Sequence, residues 1–218
     1  MAAGEQAATD PVLALLAADP LEVCPRLLGA VLRVGSDQGE VALRITEVEA
    51  YRGEEDPGSH AFKGQTRRNA TMFAAAGAVY VYLTYGMHHC ANIVCGPPGL
   101  SRAVLLRAGE VVAGLELARS RRPQSRQDVQ LASGPGRLCQ ALALTRADDG
   151  ARLGEAGGRM RLELPAVPVA AGRIRTGPRT GVSGPGGDGT AFPWRFWIDG
   201  DPTVSPYKAA TGRRRRER

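Results

Sequence analysis

Four of the chain's five tyrosines (Tyr51, Tyr80, Tyr82 and Tyr85) and all three histidines (His60, His88 and His89) fall between residues 45 and 107, beside two carboxylates, Glu47 and Glu49. An aromatic-lined pocket holding one acid suits hydrolysis of a bond to a flat group that stacks. In an extended segment Val41, Leu43, Ile45, Glu47, Glu49 and Tyr51 share a face, because side chains alternate. Such a face would run from an apolar core into a cleft. Two acids about 7 Å apart repel, and one can be pushed toward the titration range of a general base. The other reading of the same spacing pairs both acids with arginines at a solvated strand end. Tyr80 and Tyr82 share a strand face and serve either a core or a pocket. Tyr85, next to Gly86 on a tight turn, is hard to bury and could act as a planar wedge entering a base stack.

Other chemistries find less support. His60, His88, His89, Cys90 and Cys95 lack the paired spacing of zinc ligands, and adjacent His88 and His89 on a strand point to opposite faces, so no metal is expected. No phosphate-binding Gly-x4-Gly-Lys-Ser/Thr loop occurs. No local signature supports a cysteine nucleophile.

The elements that must position these residues can be read from punctuation. Asp10-Pro11 caps a short helix that stops before Asp19-Pro20, and a second helix from Leu21 to Leu28 ends at Gly29. Strands Ala30 to Val34 and Glu40 to Tyr51 flank a Gly35–Gly39 turn, and strands Val79 to Leu83 and His88 to Cys95 flank a hairpin turn, Thr84-Tyr85-Gly86-Met87. A strand from Ala103 to Arg107 precedes a helix from Val111 to Arg119. A further helix opens at Ser133-Gly134-Pro135 and runs to Leu144. Late strands are expected near Met160 to Leu164, Val167 to Ile174 and Trp194 to Asp199. Residues 119–130, 172–190 and 213–218 read as two loops and a basic tail.

The chain has 218 residues, 43% hydrophobic and 23% charged, which suits one globular domain over residues 10–212 between a short tail, 1–9, and the basic tail 213–218. No apolar run approaches a membrane span, no signal peptide is evident, and four cysteines are too few for a disulfide scaffold, so a reducing compartment is expected. The net charge is +6, and only Lys63 and Lys208 among the 28 basic residues are not arginine. Codon bias and phosphate contact both account for that excess.

Three stretches, Ile45 to Arg107, Gly134-Pro135-Gly136-Arg137-Leu138-Cys139-Gln140-Ala141-Leu142 and Pro193-Trp194-Arg195-Phe196-Trp197, with Arg26-Leu27-Leu28-Gly29 before them, resemble the alkyladenine (3-methylpurine) DNA glycosylases of base excision repair. The resemblance covers nearly the whole chain. It implies an α+β (mixed α/β) fold, a single domain on a curved antiparallel β-sheet with flanking helices and a protruding β-hairpin. It implies a monofunctional glycosylase that needs no cofactor and acts as a monomer on double-stranded DNA containing damaged purines (3-methyladenine, 7-methylguanine, hypoxanthine or ethenoadenine). By position, Glu49 would be the general base. Tyr51, His60 and Tyr82 would form the base pocket, and Asn92 would crowd a purine 2-amino group. Tyr85 would fill the gap left by the flipped base, and Arg107 would help hold water and the DNA backbone. The cytoplasm of a bacterium, at the nucleoid, or the nucleus of a eukaryote is the expected location. The chain departs from the family pattern at Val111-Val112, in place of a proline-containing turn, and at the loose Gly184-Pro185-Gly186-Gly187 loop. A non-catalytic damage-binding protein on the same fold, and a lyase using Lys63 as a Schiff-base amine, are the competing functions.

Overall fold

The computed structural model describes residues 10–84 and 86–210. The expected wedge Tyr85, the tail 1–9 and the basic tail 213–218 lie outside the described residues. Two short helices come first among the described residues, α1 (Pro11–Leu16) and α2 (Pro20–Leu27). Asp10 and Asp19 cap them, each side chain accepting from the backbone two residues on, at 2.8 and 3.0 Å, with proline in the first turn where no N–H is needed.

Among the described residues eight strands follow in one antiparallel sheet: β1 (Val31–Ser36), β2 (Gly39–Tyr51), β3 (Val79–Thr84), β4 (His88–Val94), β5 (Ala103–Ala113), β6 (Met160–Glu163), β7 (Ile174–Gly177) and β8 (Arg195–Ile198). The sheet order is β3-β4-β5-β2-β1-β6, and β8 pairs with both β2 and β7. Two further helices, α3 (Leu115–Arg121) and α4 (Pro135–Ala141), pack among β2, β4 and β5. The expected mixed α/β architecture on an antiparallel sheet is therefore what the chain forms. No helix among the described residues is long and apolar enough to cross a membrane.

Strand β2 organises the molecule. Its 13 residues pair with β5 along one edge, while its other edge is shared by β1 at residues 39–44 and β8 at Glu47–Glu49. Its side chains do not keep the simple alternation expected from sequence. Val41, Leu43 and Ile45 lie in one core cluster with Val48 and Ala50, and the β2–β5 ladder is irregular between Ile45 and Val48. On β5, Leu106 and Val104 join that cluster opposite Val48 and Ala50, while Gly109 and Val111 face Ile45 and Leu43, so both strands change phase together. The shift carries Glu47 and Glu49 off the apolar face that Val41, Leu43 and Ile45 occupy.

Three expected boundaries move. The helix expected from Val111 begins only at Leu115, because β5 stays paired with β2 through Ala113. Gly114 makes the break: it has φ +71°, and a Cβ there would stand 2.2 Å from the Glu40 carbonyl oxygen. The α4 helix ends at Ala141 rather than Leu144, and of the strand expected over 167–174 only Ile174 is extended in the sheet.

Candidate active site

The phase change delivers Glu49 to the floor of a cavity of about 430 Å³. Glu49, Tyr51, His60, Tyr82, Asn92 and Arg107 all line it, so the structure brings together every candidate side chain it describes.

Glu49 has no exposure to solvent and is held from both sides. Its Oε1 accepts from the Thr180 backbone N–H at 2.7 Å and stands 3.3 Å from Arg107 Nη1; its Oε2 accepts from the Tyr51 hydroxyl at 2.9 Å. Burial, followed by the charge of Glu49, pushes the Tyr51 hydroxyl well above its ordinary titration range, so its proton remains available for that bond. This arrangement fixes the carboxylate rotamer, and a fixed acceptor needs little reorganisation when it takes a proton.

Glu47 has another task. It also is fully buried, and it accepts from Arg107 Nε at 2.9 Å, Arg195 Nε at 2.6 Å, and the Ser205 backbone N–H and hydroxyl at 2.7 and 3.0 Å. Both oxygens of Glu47 have protein donors, three on Oε1 and one on Oε2, and it does not line the cavity. The two acids are therefore not the bare repelling pair anticipated from their spacing, because Arg107 lies between them and touches both. Burial works against the charge on Arg107, but Glu49 and Glu47 outweigh it and hold its pKa up. The arginines that neutralise the pair are buried, with none of the solvated strand-end character of the alternative reading.

The walls are aromatic. Tyr80 and Tyr82 stack with centroids 5.4 Å apart, and His60 meets Tyr82 edge-on at 4.5 Å. Tyr80 belongs to both readings of its strand face: it is 1% exposed yet lines the cavity. Its hydroxyl lies 3.4 Å from His60 Nδ1. His60 is exposed on its outer side, but desolvation of the ring by the cavity wall, and then the charge of Arg68, lowers its pKa, so the ring favours its neutral form. Asn92 is set by its Nδ2, which donates to the Tyr80 carbonyl at 3.2 Å. Beneath Tyr82, burial raises the Cys90 thiol to about 11, which keeps it protonated at neutral pH.

Sequence reasoning missed the opposite lip, Thr180, Gly181, Val182 and Ser183, as well as Met72, Cys90, Leu105 and Pro135. Residues 172–190 looked like a loose glycine-rich loop, and nothing local marks Thr180 as a donor to a carboxylate 131 positions earlier. His88 and His89 do not line the cavity, and among the described residues no three His, Cys, Asp or Glu side chains group closely enough to hold a metal ion.

The family model of the methylpurine-DNA glycosylases matches residues 14–202. A protein of Streptomyces avermitilis, named provisionally a 3-methyladenine DNA glycosylase, is 57% identical over 197 residues, 90% of this chain and 91% of its own length. One from Leifsonia xyli with the same name is 58% identical over 196 residues, covering 88% of this chain and 89% of the relative. A third, from Mycobacterium bovis, is 42% identical over 201 residues, 90% and 93% of the two chains. Since the family model runs through the whole sheet and all of the cavity's lining, and the relatives cover most of the chain, the chain belongs to the methylpurine-DNA glycosylase family and is a DNA glycosylase, a hydrolase of N-glycosyl bonds.

Proposed function

We propose that this glycosylase rotates an alkylated or deaminated purine out of duplex DNA into the cavity and cleaves its N-glycosidic bond with water activated by Glu49. The 3-methyladenine, 7-methylguanine, hypoxanthine and ethenoadenine class is the proposed substrate range, and a free base and an abasic site on an intact strand are the products. The observation that carries the reading is the setting of Glu49: an ionisable carboxylate at the bottom of an aromatic pocket, oriented by three donors and spared the structural work that Glu47 performs.

Extrusion costs a few kcal/mol of unstacking, least for a damaged or mispaired base, and this contributes to selectivity. Tyr51 and Tyr82 are proposed to stack on the purine with His60 at its edge, and a cationic alkylated ring gains cation–π attraction of roughly 0.5 to 2 kcal/mol. Departure of the base leaves an oxocarbenium-like sugar. Glu49 stabilises that charge and takes the proton of the attacking water, which Arg107 helps to hold. Asn92, which lines the cavity, is proposed to crowd a purine 2-amino group. Tyr85 is proposed to occupy the space the base vacates. A single copy of the chain is proposed to act on one lesion.

Lys63 is exposed and does not line the cavity, which favours hydrolysis over Schiff-base chemistry. A protein that bound damage without excising it would have no use for a buried, fully oriented Glu49. The test is single-turnover excision by Glu49→Gln. Base release should fall by about 10² to 10⁴, the usual worth of a placed general base, with lesion binding preserved. A variant retaining more than about a tenth of the parental rate would sink the assignment.

A further inference from the structure

Arg179 is the largest fully buried side chain among the described residues. Its Nη1 and Nη2 each donate to one oxygen of the Asp56 carboxylate at 2.6 Å, and Asp56 is equally buried. The same two nitrogens also donate to the Ala50 carbonyl at 3.0 Å and the Gly186 carbonyl at 2.8 Å. The guanidinium lies 4.6 Å from the Tyr51 ring centroid and 5.3 Å from that of Trp194. Neither Arg179 nor Asp56 lines the cavity.

A buried ion pair of this kind gives little net stability over an apolar filling of the same volume, so its use here calls for a geometric reason. The partners supply one. Ala50 sits between Glu49 and Tyr51 on the floor. Asp56 Oδ1 accepts from Gly58 N–H at 2.8 Å, two residues before His60, and so fixes one wall. Gly186 lies three residues beyond the opposite lip in the same segment, and Arg179 itself precedes Thr180, whose N–H meets Glu49. The closeness is steric as well: a Cβ on Gly58 would stand 2.4 Å from Arg179 Nη2, and one on Gly186 would stand 2.2 Å from the Gly58 nitrogen. Floor, wall and lip thus meet at one planar group whose five donors lie in a rigid fork.

We infer that the Asp56–Arg179 pair is a positioning clamp for excision, holding the lip against the floor so that the Thr180 amide orients Glu49 while Gly58 and His60 keep their wall. The inference rests on Glu49 activating the water. Asp56 and Arg179 act through their neighbours and touch neither base nor water.

Arg179→Ala removes the fork and leaves a gap shaped for a guanidinium ion; Asp56→Asn keeps the volume and removes the charge. Single-turnover excision of an alkylated purine from a duplex is measured over increasing enzyme concentration. The saturated rate should fall by about 10²-fold, the scale of an ångström's misplacement. The half-saturating concentration should change by less than about threefold, since the affected contact is made within the enzyme. Guanidinium chloride should restore part of the Arg179→Ala rate relative to sodium chloride at equal ionic strength. Where Arg179→Ala does not fold, Arg179→Lys keeps charge and bulk but cannot reach all three segments, and it should show the same loss of saturated rate. A saturated rate within about threefold of the parent in any folded variant, or a loss confined to the half-saturating concentration, overturns the clamp. An active Glu49→Gln protein would sink the reading of Glu49, whereas an inactive one beside fully active Arg179 variants sinks the clamp alone.

Discussion

Glu47 and Glu49 are two residues apart, equally buried and both in contact with Arg107, yet their replacement by glutamine should have opposite consequences. Glu47→Gln removes the charge facing Arg107 and Arg195, side chains that are 7% and 5% exposed. It also turns an amide NH₂ toward a donor-only partner, either the guanidinium groups or the Ser205 backbone N–H. Removing one partner of a buried pair typically costs about 3–5 kcal/mol, because the remaining charge is stranded without water. Two arginines are stranded here, although Arg107 keeps Glu49 and Arg195 still donates to the Ser205 carbonyl at 2.7 Å. The loss therefore falls within that range rather than at twice its value. In a domain of this size each kcal/mol lowers the melting temperature by about 2–4 °C, so Glu47→Gln should melt roughly 6–20 °C below the parent. Glu49→Gln leaves Arg107 paired with Glu47 and should melt within a few degrees of the parent while losing base release. Thermal and denaturant unfolding of the two variants, followed by circular dichroism, make the comparison. Equal melting temperatures, or a Glu49→Gln protein less stable than Glu47→Gln, would refute the division of labour between the two acids.

Tyr82→Ser should weaken binding of a lesion-bearing duplex by roughly 5- to 150-fold, the worth of one base–aromatic stack. The loss should persist when the lesion lies opposite a gap, and full recovery there would remove Tyr82 from the pocket. Desolvation of the ring, followed by the charge of Arg68, lowers the His60 pKa although the residue is exposed at the cavity mouth, and this links folding weakly to pH: the folded protein binds fewer protons than the unfolded chain, so the stability this supports is present above the unfolded value of about 6.5 and is lost as pH falls below it. Melting at pH 5 and pH 7.5 should show a fall that shrinks in His60→Gln, and an unchanged fall would assign it to other groups. Borohydride should trap no protein–DNA adduct, and Lys63→Ala should excise at the parental rate; an adduct lost in Lys63→Ala would establish a lyase.

Most of the framework was legible because it is local. The Asp-Pro pair at 10–11 announced the first helix and the pair at 19–20 its end, Gly29 marked the end of the second, and alternating apolar runs around glycine turns announced the β1–β2 and β3–β4 hairpins. What could not be read depends on partners distant in the chain. The phase change in β2 takes place in step with β5, and no single strand's alternation shows such a joint adjustment. Spacing alone made Glu47 and Glu49 equivalent; residues 107, 195 and 205 turn one into an anchor and leave the other facing the cavity. The helix expected from Val111 reflected apolar residues that instead extend a strand until Gly114. Arg179, in the least ordered-looking part of the sequence, has its carboxylate partner 123 positions away.

The central position of β2 has a consequence for how the molecule opens. Glu47, Val48 and Glu49 have ladder neighbours on both sides, β5 and β8, whereas residues 178–190 between β7 and β8 contain one three-residue helical turn and no strand. Amide protection follows the cooperative unit that must open, and backbone bonds deep in a sheet exchange only when much of that unit unfolds. The amides of Val48 and Ala50 should thus rank among the slowest to exchange with deuterium, near the limit set by global unfolding. Gly187 and Asp188, bonded only within their own turn, should exchange orders of magnitude sooner. The Thr180 amide, whose acceptor is the Glu49 carboxylate, marks the junction between these two regimes, and its exchange rate reports how often the lip leaves a floor that remains folded.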